Sequence, residues 1–313
     1  VDISDLKPHE KEFGKSRALV RGVCSEFKRR GYNVGAFDAT TASDVLSGSG
    51  LSSSAAFEVL LGTIVNHLFN DGKVSDVEIA QIAQAAENKF FGKPCGLLDQ
   101  MTSSVGSFVE IDFADPAKPV IEKVNFDFAS CGYALCIVDT GGSHSDLTDE
   151  YAAVRKEMES VAAYLGKSVL REVDESEFVK NIADIRSSCG DRAVLRAMHF
   201  YGDNARVEKQ AAALRAGDFK TFMKYIIESG RSSYMYNQNV YSCKKAAEQP
   251  VSLALSLSEK LLDGCGAWRV HGGGFAGTIQ AFVPLNKLDE YKDLMERGSC
   301  YVLSVRPVGG VEL

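Results

Sequence analysis

The sequence lacks any apolar run that approaches the ~18 residues of a membrane span. Its opening stretch, VDISDLKPHEKEFGK, has neither the basic nor the apolar region of a signal peptide. The 35 lysines and arginines are outnumbered by 42 acidic residues and do not cluster, so the charge pattern gives no support for nucleic-acid or anionic-membrane binding. We therefore expect a cytoplasmic protein with a small-molecule partner, no nucleic acid and no membrane. Its oligomeric state is unknown from the sequence.

Metal-binding spacings are also missing. The eight cysteines form no C-x-x-C pair, and the five histidines lack the H-x-x-x-H spacing that puts two ligands on one helical face. Most cysteines stand among apolar neighbours, so we interpret them as reduced core residues. A zinc site built from protein side chains is not expected.

The composition is that of a folded protein with both helices and strands. At 313 residues, with 45% hydrophobic and 25% charged residues, the chain is long enough for two packed domains. The hydrophobic periodicity predicts an α+β protein with a domain boundary near residues 95–130. Helices are predicted after residue 14, over 55–69, from the Ser75–Glu78 capping box to Gly92, around 151–165 and over much of 191–263. Strands are predicted over 33–46, 107–113, 133–140, 278–283 and 300–305.

The stretch SGSGLSSSAAFEV, residues 47–59, joins a predicted strand to a predicted apolar helix. Glycines before a helix N-terminus let backbone N–H groups approach a phosphate closely. The serine hydroxyls could donate to phosphate oxygens or coordinate Mg²⁺. No lysine follows and a third glycine is missing, so this is neither a Walker A loop nor a dinucleotide fingerprint. From these residues alone, a serine-rich helix cap after a tight turn is an equally good interpretation.

A second glycine-rich stretch, HGGGFAG at 271–277, leads into the strand predicted at 278–283. Four glycines in seven positions again suit the close approach of a ligand to the backbone. Two such loops in one chain favour binding sites over simple turns.

Two carboxylates stand in apolar surroundings. Asp99 lies among leucines and a methionine, where an ionised carboxylate is costly unless it is paired. It could cap a helix beginning near Gln100, or act as a base or an orienting carboxylate. Glu87 follows Ala83 and Ile79 at helical spacing, at the edge of a buried stripe. A buried carboxylate needs a partner, and a metal ion is one.

Three segments resemble the galactokinases of the GHMP kinase superfamily in order and separation. SDVLSGSGLSSSAA resembles the second motif, AENKFFGKPCGLLDQMTSSVG the mid-chain segment, and WRVHGGGFAGT the third motif. Further similarity covers most of the chain, including SHSDLTDEYAAVRKEME and RAGDFKTFMKYIIESGRSS. The resemblance implies the two-domain α+β GHMP kinase fold. Residues 1–105 would be the remainder of a truncated, ribosomal protein S5 domain 2-like N-terminal domain that carries the phosphate-binding loop, and 106–313 a ferredoxin-like α+β C-terminal domain.

The implied activity is ATP-dependent phosphorylation of galactose at its anomeric hydroxyl, with ATP and Mg²⁺ as cofactors. By resemblance, the phosphate-binding residues are Gly48, Ser49, Gly50, Leu51, Ser52, Ser53 and Ser54. Ser54 and Glu87 would lie near Mg²⁺, and Asp99 would be catalytic, as a general base or an electrostatic aid. The implied sugar-binding residues are Gly96, Asp99 and Tyr151, and Gly272, Gly273 and Gly274 form the third-motif loop. Tyr151 also lies on the apolar face of its helix and could be a simple core residue.

Galactokinases begin with a first motif of the type G-R-V-N-L-I-G-E-H-x-D-Y, which supplies sugar-binding residues and an arginine that acts on the transferred phosphate. Nothing like it occurs in this sequence. We therefore expect that about one hundred residues, roughly a domain's worth of strands, are missing before Val1. With half of the sugar site missing, the 313-residue chain itself is expected to have little or no kinase activity.

Smaller departures leave the sugar open. Leu46 stands where the second motif usually has proline, Ala276 where the third usually has glycine, and Ser143 where a nucleotide-contacting arginine is expected. A galactosamine derivative, arabinose or galacturonate would suit an altered pocket. A non-catalytic galactokinase-like sugar sensor is a further alternative, although the intact serine run favours an enzyme. KPCGLLDQ and the Tyr151 helix argue against a kinase for mevalonate or homoserine.

Overall fold

A computed structural model describes residues 1–43, 52–93, 95–115, 118–142 and 147–312. The predicted phosphate-binding residues Gly48, Ser49, Gly50 and Leu51 lie outside the described residues, as do Leu46 and Ser143. The chain forms two compact units. The first contains Val1–Ile111, Ile121–Lys123 and Val305–Leu313, and the second contains Asp112–Val120 and Val124–Ser304.

The first unit is built mainly from helices. They are α1 (Ser16–Arg29), α2 (Ser53–Asn70), α3 (Asp76–Ala86) and α4 (Leu98–Val105). Two short strands, β1 (Phe108–Asp112) and β2 (Val120–Val124), pair with each other. The core lies where the apolar stripes of α1, α2 and α3 meet, around Phe27, Val65 and Ile82.

Helix α2 confirms the prediction for residues 55–69 and ends where Asp71 takes a left-handed conformation. The helix is not buried on every side, because Leu60 and Leu68 are 39% and 57% exposed. The structure contains one of the two hydrogen bonds of the capping box predicted for α3, in which the Ser75 side chain accepts from the Glu78 backbone N–H. The Glu78 carboxylate instead accepts from the Tyr32 hydroxyl across 2.8 Å.

The strand predicted over 33–46 does not form in its described part, residues 33–43. The side chain of Asn70, the last residue of α2, hydrogen-bonds to both backbone polar groups of Asn33. Its side-chain oxygen accepts from the Asn33 N–H at 2.8 Å, and its amide nitrogen donates to the Asn33 carbonyl at 3.0 Å. Side-chain hydrogen bonds thus satisfy backbone groups that a strand would need for pairing.

Residues 305–310 return to the first unit. The Ser107 N–H donates to the Arg306 carbonyl at 2.7 Å. Gly309 passes against the backbone of Ser104 in α4, and Gly310 against the side chain of Thr63 in α2, so closely that a Cβ at either glycine would overlap them. Only glycine fits these two crossings.

The second unit contains a four-stranded antiparallel sheet with the order β4-β5-β3-β6. Its strands are β3 (Tyr133–Asp139), β4 (Ala267–Val270), β5 (Thr278–Pro284) and β6 (Cys300–Leu303). Its helices are α5 (Thr148–Tyr164), α6 (Glu175–Lys180), α7 (Ile182–Cys189), α8 (Asp191–Arg215), α9 (Phe219–Ser232), α10 (Pro250–Leu262) and α11 (Leu288–Leu294). The order of these elements along the chain is the ferredoxin-like pattern: strand β3, the helices α5 to α10, strands β4 and β5, helix α11 and strand β6.

The central strands β3 and β5 are buried on both faces, and Ile137 lies opposite both Gln280 and Tyr301. The core of this unit includes Trp268, Ile279 and Tyr291. In the part of the chain that the structure describes, no helix has both the length and the apolar composition needed to cross a membrane.

Candidate active site

Ser54 and Glu87 meet in the first unit. Ser54 lies in the first turn of α2, and its hydroxyl donates to Glu87 Oε1 at 2.9 Å. Ser52, the residue before α2, has a left-handed conformation with φ 57°. Such a conformation is unfavourable for residues other than glycine and concentrates at functional sites. The residues that the resemblance links to Mg²⁺ are thus neighbours.

Glu87 is buried because it continues the apolar stripe of α3, as the sequence predicted. It is 2% exposed and opens a π-helical turn, Glu87–Phe91, that ends at Gly92. Turns of this kind inside helices often occur at functional sites. Lys93 follows the turn, and its Nζ lies 3.5 Å from Glu87 Oε1. The carboxylate therefore has the partner that its burial requires.

Two further buried side chains in this cluster, Glu58 and Gln100, were not predicted. Gln100 Nε2 donates to Glu87 Oε2 at 2.7 Å and to Glu58 Oε2 at 3.2 Å. Burial, and after it the charge of Glu87, raises the pKa of Glu58 to about 8. Glu58 stands four residues after Ser54 in α2, so helical spacing was a signal that could have found it.

Cys95 lies beside the cluster, with its Sγ 3.5 Å from Gln100 Nε2. Burial and the nearby Glu87 carboxylate raise the pKa of Cys95 to about 12, so it stays a thiol at neutral pH. All eight cysteines are free thiols.

The surroundings of Asp99 differ from the expectation. Its side chain is exposed, because it points away from the core that Met101 and Gln100 enter, so the apolar setting inferred from the sequence is wrong. The cap interpretation is also wrong, since α4 begins at Leu98 and Asp99 is already inside its first turn. A carboxylate there is favoured by the helix dipole. Gly96, nearby, is exposed and has open space where a side chain would lie.

The second unit holds the third-motif loop. The Tyr151 hydroxyl donates to the Gly274 carbonyl at 2.7 Å, and its ring packs edge-on against Phe275 with the centroids 5.4 Å apart. A Cβ on Gly273 would lie 2.7 Å from the Tyr151 ring. Burial raises the pKa of Tyr151 to about 12. Tyr151 therefore packs as a core residue and also holds the glycine loop.

Asn239 is a second contact of this loop that the sequence did not indicate. Its side-chain amide donates to the Gly273 carbonyl at 3.0 Å, and its backbone carbonyl accepts from the Phe275 N–H. Gly274, with φ 80°, passes so close to the Asn239 carbonyl that a Cβ would overlap it. The segment 237–242 has no glycine or periodic pattern that marks this role.

Residues 18–107 match the family of the GHMP kinases N terminal domain. Over 296 residues the chain is 31% identical to the galactokinase of Actinobacillus pleuropneumoniae serotype 3, an alignment that covers 92% of this chain and 72% of that protein. The chain belongs to the galactokinase family of the GHMP kinases. Membership of this family makes it a sugar kinase that uses ATP.

Other relatives of this galactokinase-family chain agree. It is 29% identical over 313 residues to the galactokinase of Clostridium tetani, covering 98% of the chain and 76% of that protein. Its fold resembles that of Lactococcus lactis galactokinase, solved in complex with galactose, with a TM-score of 0.76 and 22% identity. That match covers the whole chain and 80% of the solved one. The predicted α+β GHMP kinase fold is therefore confirmed.

Ala276, which departs from the family's third motif, has a structural compensation. It is buried, and the position facing it is Gly142. A Cβ on Gly142 would lie 3.0 Å from the Ala276 methyl, a tighter contact than ordinary packing. The methyl group of Ala276 thus occupies space that a side chain at residue 142 would otherwise take.

The donor set around Glu87 suits a hard cation. Within the described residues there is no group of three or more His, Cys, Asp or Glu side chains that could hold a metal ion. Mg²⁺ does not need one, because it is commonly bound by one or two protein oxygens together with water and substrate phosphates. The Ser54 hydroxyl and the Glu87 carboxylate are two such oxygens, 2.9 Å apart. They fit Mg²⁺ as a pair of protein ligands.

Proposed function

We propose that this chain carries the active-site elements of an ATP-dependent kinase that phosphorylates the anomeric hydroxyl of galactose, with Mg²⁺ as its metal. The observation that carries the proposal is the Ser54–Glu87 pair, 2.9 Å apart, at the N-terminus of α2. The galactokinase relatives and the galactose complex of the Lactococcus lactis enzyme support galactose as the substrate.

In the proposed reaction, the anomeric oxygen of the sugar attacks the γ-phosphorus of ATP. The bond between that phosphorus and the bridging oxygen breaks, ADP leaves, and the hydroxyl proton passes to the Asp99 carboxylate. The exposure of Asp99 supports this role, because its oxygens can be reached by a substrate. Phosphoryl transfer depends mostly on positioning and charge neutralisation, and a carboxylate beside the attacking hydroxyl serves both.

The phosphates of ATP would bind at the start of α2. Ser52, Ser53 and Ser54 end the loop that enters this helix, and backbone N–H groups of a first helical turn lack intrahelical partners. The adjoining residues 48–51 are predicted to complete the loop. Mg²⁺ held by Ser54 and Glu87 would neutralise charge on the phosphates.

Sugar-binding residues are proposed in each unit separately, Gly96 and Asp99 in the first and Tyr151 in the second. The hydrogen of the Tyr151 hydroxyl is already donated to Gly274, so its oxygen would accept a hydrogen bond from a sugar hydroxyl. Asn239 and Tyr151 together hold the loop of Gly272, Gly273 and Gly274, which we propose supports the bound substrate.

A coupled ADP-release assay tests the proposal on the complete gene product of the natural source. The panel is galactose, galactosamine, arabinose, galacturonate, mevalonate and homoserine, and galactose is expected to give the highest kcat/KM. Sugar binding without turnover on any compound would favour a sugar sensor instead. A higher kcat/KM for another compound would overturn the assignment of galactose.

A further inference from the structure

Glu58 and Gln100 have no role in the proposed chemistry, although both are fully buried beside it. Glu58 is 0% exposed and Gln100 is 1% exposed. Glu58 lies one helical turn beyond Ser54 in α2, and Gln100 follows Asp99 in α4. Each therefore shares a helix with a residue of the proposed site.

The Gln100 amide joins two buried carboxyl groups. Its two N–H bonds point to Glu87 Oε2 at 2.7 Å and to Glu58 Oε2 at 3.2 Å. Because Gln100 holds Oε2 of Glu87, the other oxygen, Oε1, is turned toward the Ser54 hydroxyl. Gln100 thus fixes the orientation of the Glu87 carboxylate through Oε2, and this orientation presents Oε1 to Ser54.

Lys93 competes for the same oxygen. Its ammonium lies 3.5 Å from Glu87 Oε1, and its side chain is 65% exposed. A carboxylate that could rotate freely would turn toward this exposed cation. The Gln100 amide opposes that rotation from inside the core.

The arrangement does not optimise stability. Glu58 Oε1 and Gln100 Oε1 are buried, and among the described residues neither has a hydrogen-bond partner. Two buried carboxyl groups and two unsatisfied oxygens cost stability that apolar side chains of similar size would not. Proteins keep such local violations mainly at functional sites.

We propose that Gln100, held in place by Glu58, is a positioning residue that orients the Glu87 carboxylate for a divalent cation bound with nucleotide phosphates. This inference rests on the proposed function, in which Ser54 and Glu87 bind that cation. The class of ligand is a Mg²⁺–nucleotide complex. Neither Gln100 nor Glu58 is proposed to touch it.

The test measures how much Mg²⁺ tightens ADP binding, by isothermal titration of the purified chain with ADP in excess EDTA and in excess Mg²⁺. The ratio of the two Kd values is the Mg²⁺ effect. In Gln100→Leu the Mg²⁺ effect is expected to fall at least about tenfold, the scale for losing a residue that orients a metal ligand. The Kd in EDTA is expected to change less than about twofold, because Gln100 does not contact nucleotide.

Gln84→Leu is the matched control. Gln84 also donates its side-chain amide in this region, but to the Cys95 carbonyl at 3.3 Å rather than to Glu58 or Glu87. Its Mg²⁺ effect is expected to equal that of the wild type. A second pair of variants covers the case in which Gln100→Leu does not fold. Glu58→Ala, which removes one acceptor of the Gln100 amide, should reduce the Mg²⁺ effect, and Glu58→Gln, which keeps an acceptor at that position, should restore it.

The outcomes separate the two proposals. A wild-type Mg²⁺ effect that survives in Gln100→Leu and in Glu58→Ala would overturn the positioning role and leave the metal proposal intact. If Mg²⁺ does not tighten ADP binding to the wild-type chain although ADP binds in EDTA, the proposed metal pair fails, and the positioning role fails with it. A reduced Mg²⁺ effect in Gln100→Leu and Glu58→Ala, together with a wild-type Mg²⁺ effect in Gln84→Leu and Glu58→Gln, supports both the metal pair and the positioning role.

Discussion

The Ser54 hydroxyl donates to Glu87 Oε1 across 2.9 Å, although 33 positions separate the two residues in the chain. The first turn of α2 supplies the serine, and the turn that follows α3 supplies the glutamate. The contact therefore joins the end of the predicted phosphate-binding loop to a buried carboxylate.

Replacing Ser54 by alanine removes one of the two proposed protein ligands of Mg²⁺. We expect the Mg²⁺ effect on ADP affinity, measured by titration with and without the metal, to fall at least about tenfold. Ser25→Ala is the control, because its hydroxyl also makes one hydrogen bond in the first unit, to the Leu6 carbonyl at 3.0 Å. An unchanged Mg²⁺ effect in Ser54→Ala would remove this serine from the proposed metal site.

Asp99→Asn removes the proposed proton acceptor while keeping the size of the side chain. In the complete gene product, kcat is expected to fall by at least about a hundredfold, the scale for losing an acid–base or charge-orienting group. Steady-state ADP release measures it. Asp76→Asn is the control, since Asp76 is also an exposed aspartate in the first turn of a helix, and it should keep its rate. A near-normal rate for Asp99→Asn would exclude Asp99 from the mechanism.

We expect Glu58 to make the free energy of unfolding depend on pH. Burial, followed by the charge of Glu87, raises its pKa from 4.5 to about 8 in the folded protein. The folded state then holds the proton more tightly than the unfolded chain does, so this stabilising contribution is complete below pH 4.5 and is lost as the pH rises through about 8. Glu58→Gln cannot ionise and keeps its neutral form throughout.

The free energy of unfolding of Glu58→Gln, relative to the wild type, is therefore expected to rise by up to a few kcal/mol as the pH increases from about 5 to about 9. Urea denaturation at several pH values measures the difference. Glu159→Gln, at a surface pair with Arg155, should show a nearly constant difference over this range. A constant difference for Glu58→Gln would mean that Glu58 does not titrate in this window.

Gly274 and Gly272 offer a matched pair of alanine variants. Both glycines have left-handed backbones, with φ of 80° and 64°, so the backbone strain of an alanine is similar. At Gly274 the methyl would overlap the Asn239 carbonyl, whereas Gly272 has open space. Gly274→Ala is expected to lower the free energy of unfolding by about 1–3 kcal/mol more than Gly272→Ala, as overpacking does. Equal losses in urea denaturation would contradict the close contact with Asn239.

Periodic segments were the predictable part of the fold. α2, α5 and β5 were expected because their apolar residues recur over many positions. β4 has only four residues and was missed. The strand expected over 33–46 is absent from residues 33–43, because the Asn70 side chain hydrogen-bonds to the backbone groups of Asn33. Side-chain to backbone hydrogen bonds of this kind depend on which distant segments pack together in the fold. A local sequence pattern does not contain that information.

The same limit applies to the site. Glu87 could be inferred from its place on the stripe of α3, and Asp99 from the family's motif. Gln100 could not, because its two carboxylate partners are 42 and 13 positions away and become neighbours only when the helices pack. Asn239 likewise meets Gly273 from 34 positions away. Polar pairing over such separations carries no periodic signal.

Gly309 and Gly310, which fit against Ser104 and Thr63, also constrain the order of events during synthesis. Residues leave the ribosome in chain order, and domains generally begin to fold as they emerge. All segments of the second unit precede residue 305, whereas the first unit includes Val305–Leu313. The second unit can therefore finish folding while the first, most of which precedes it in the sequence, still waits for these glycines.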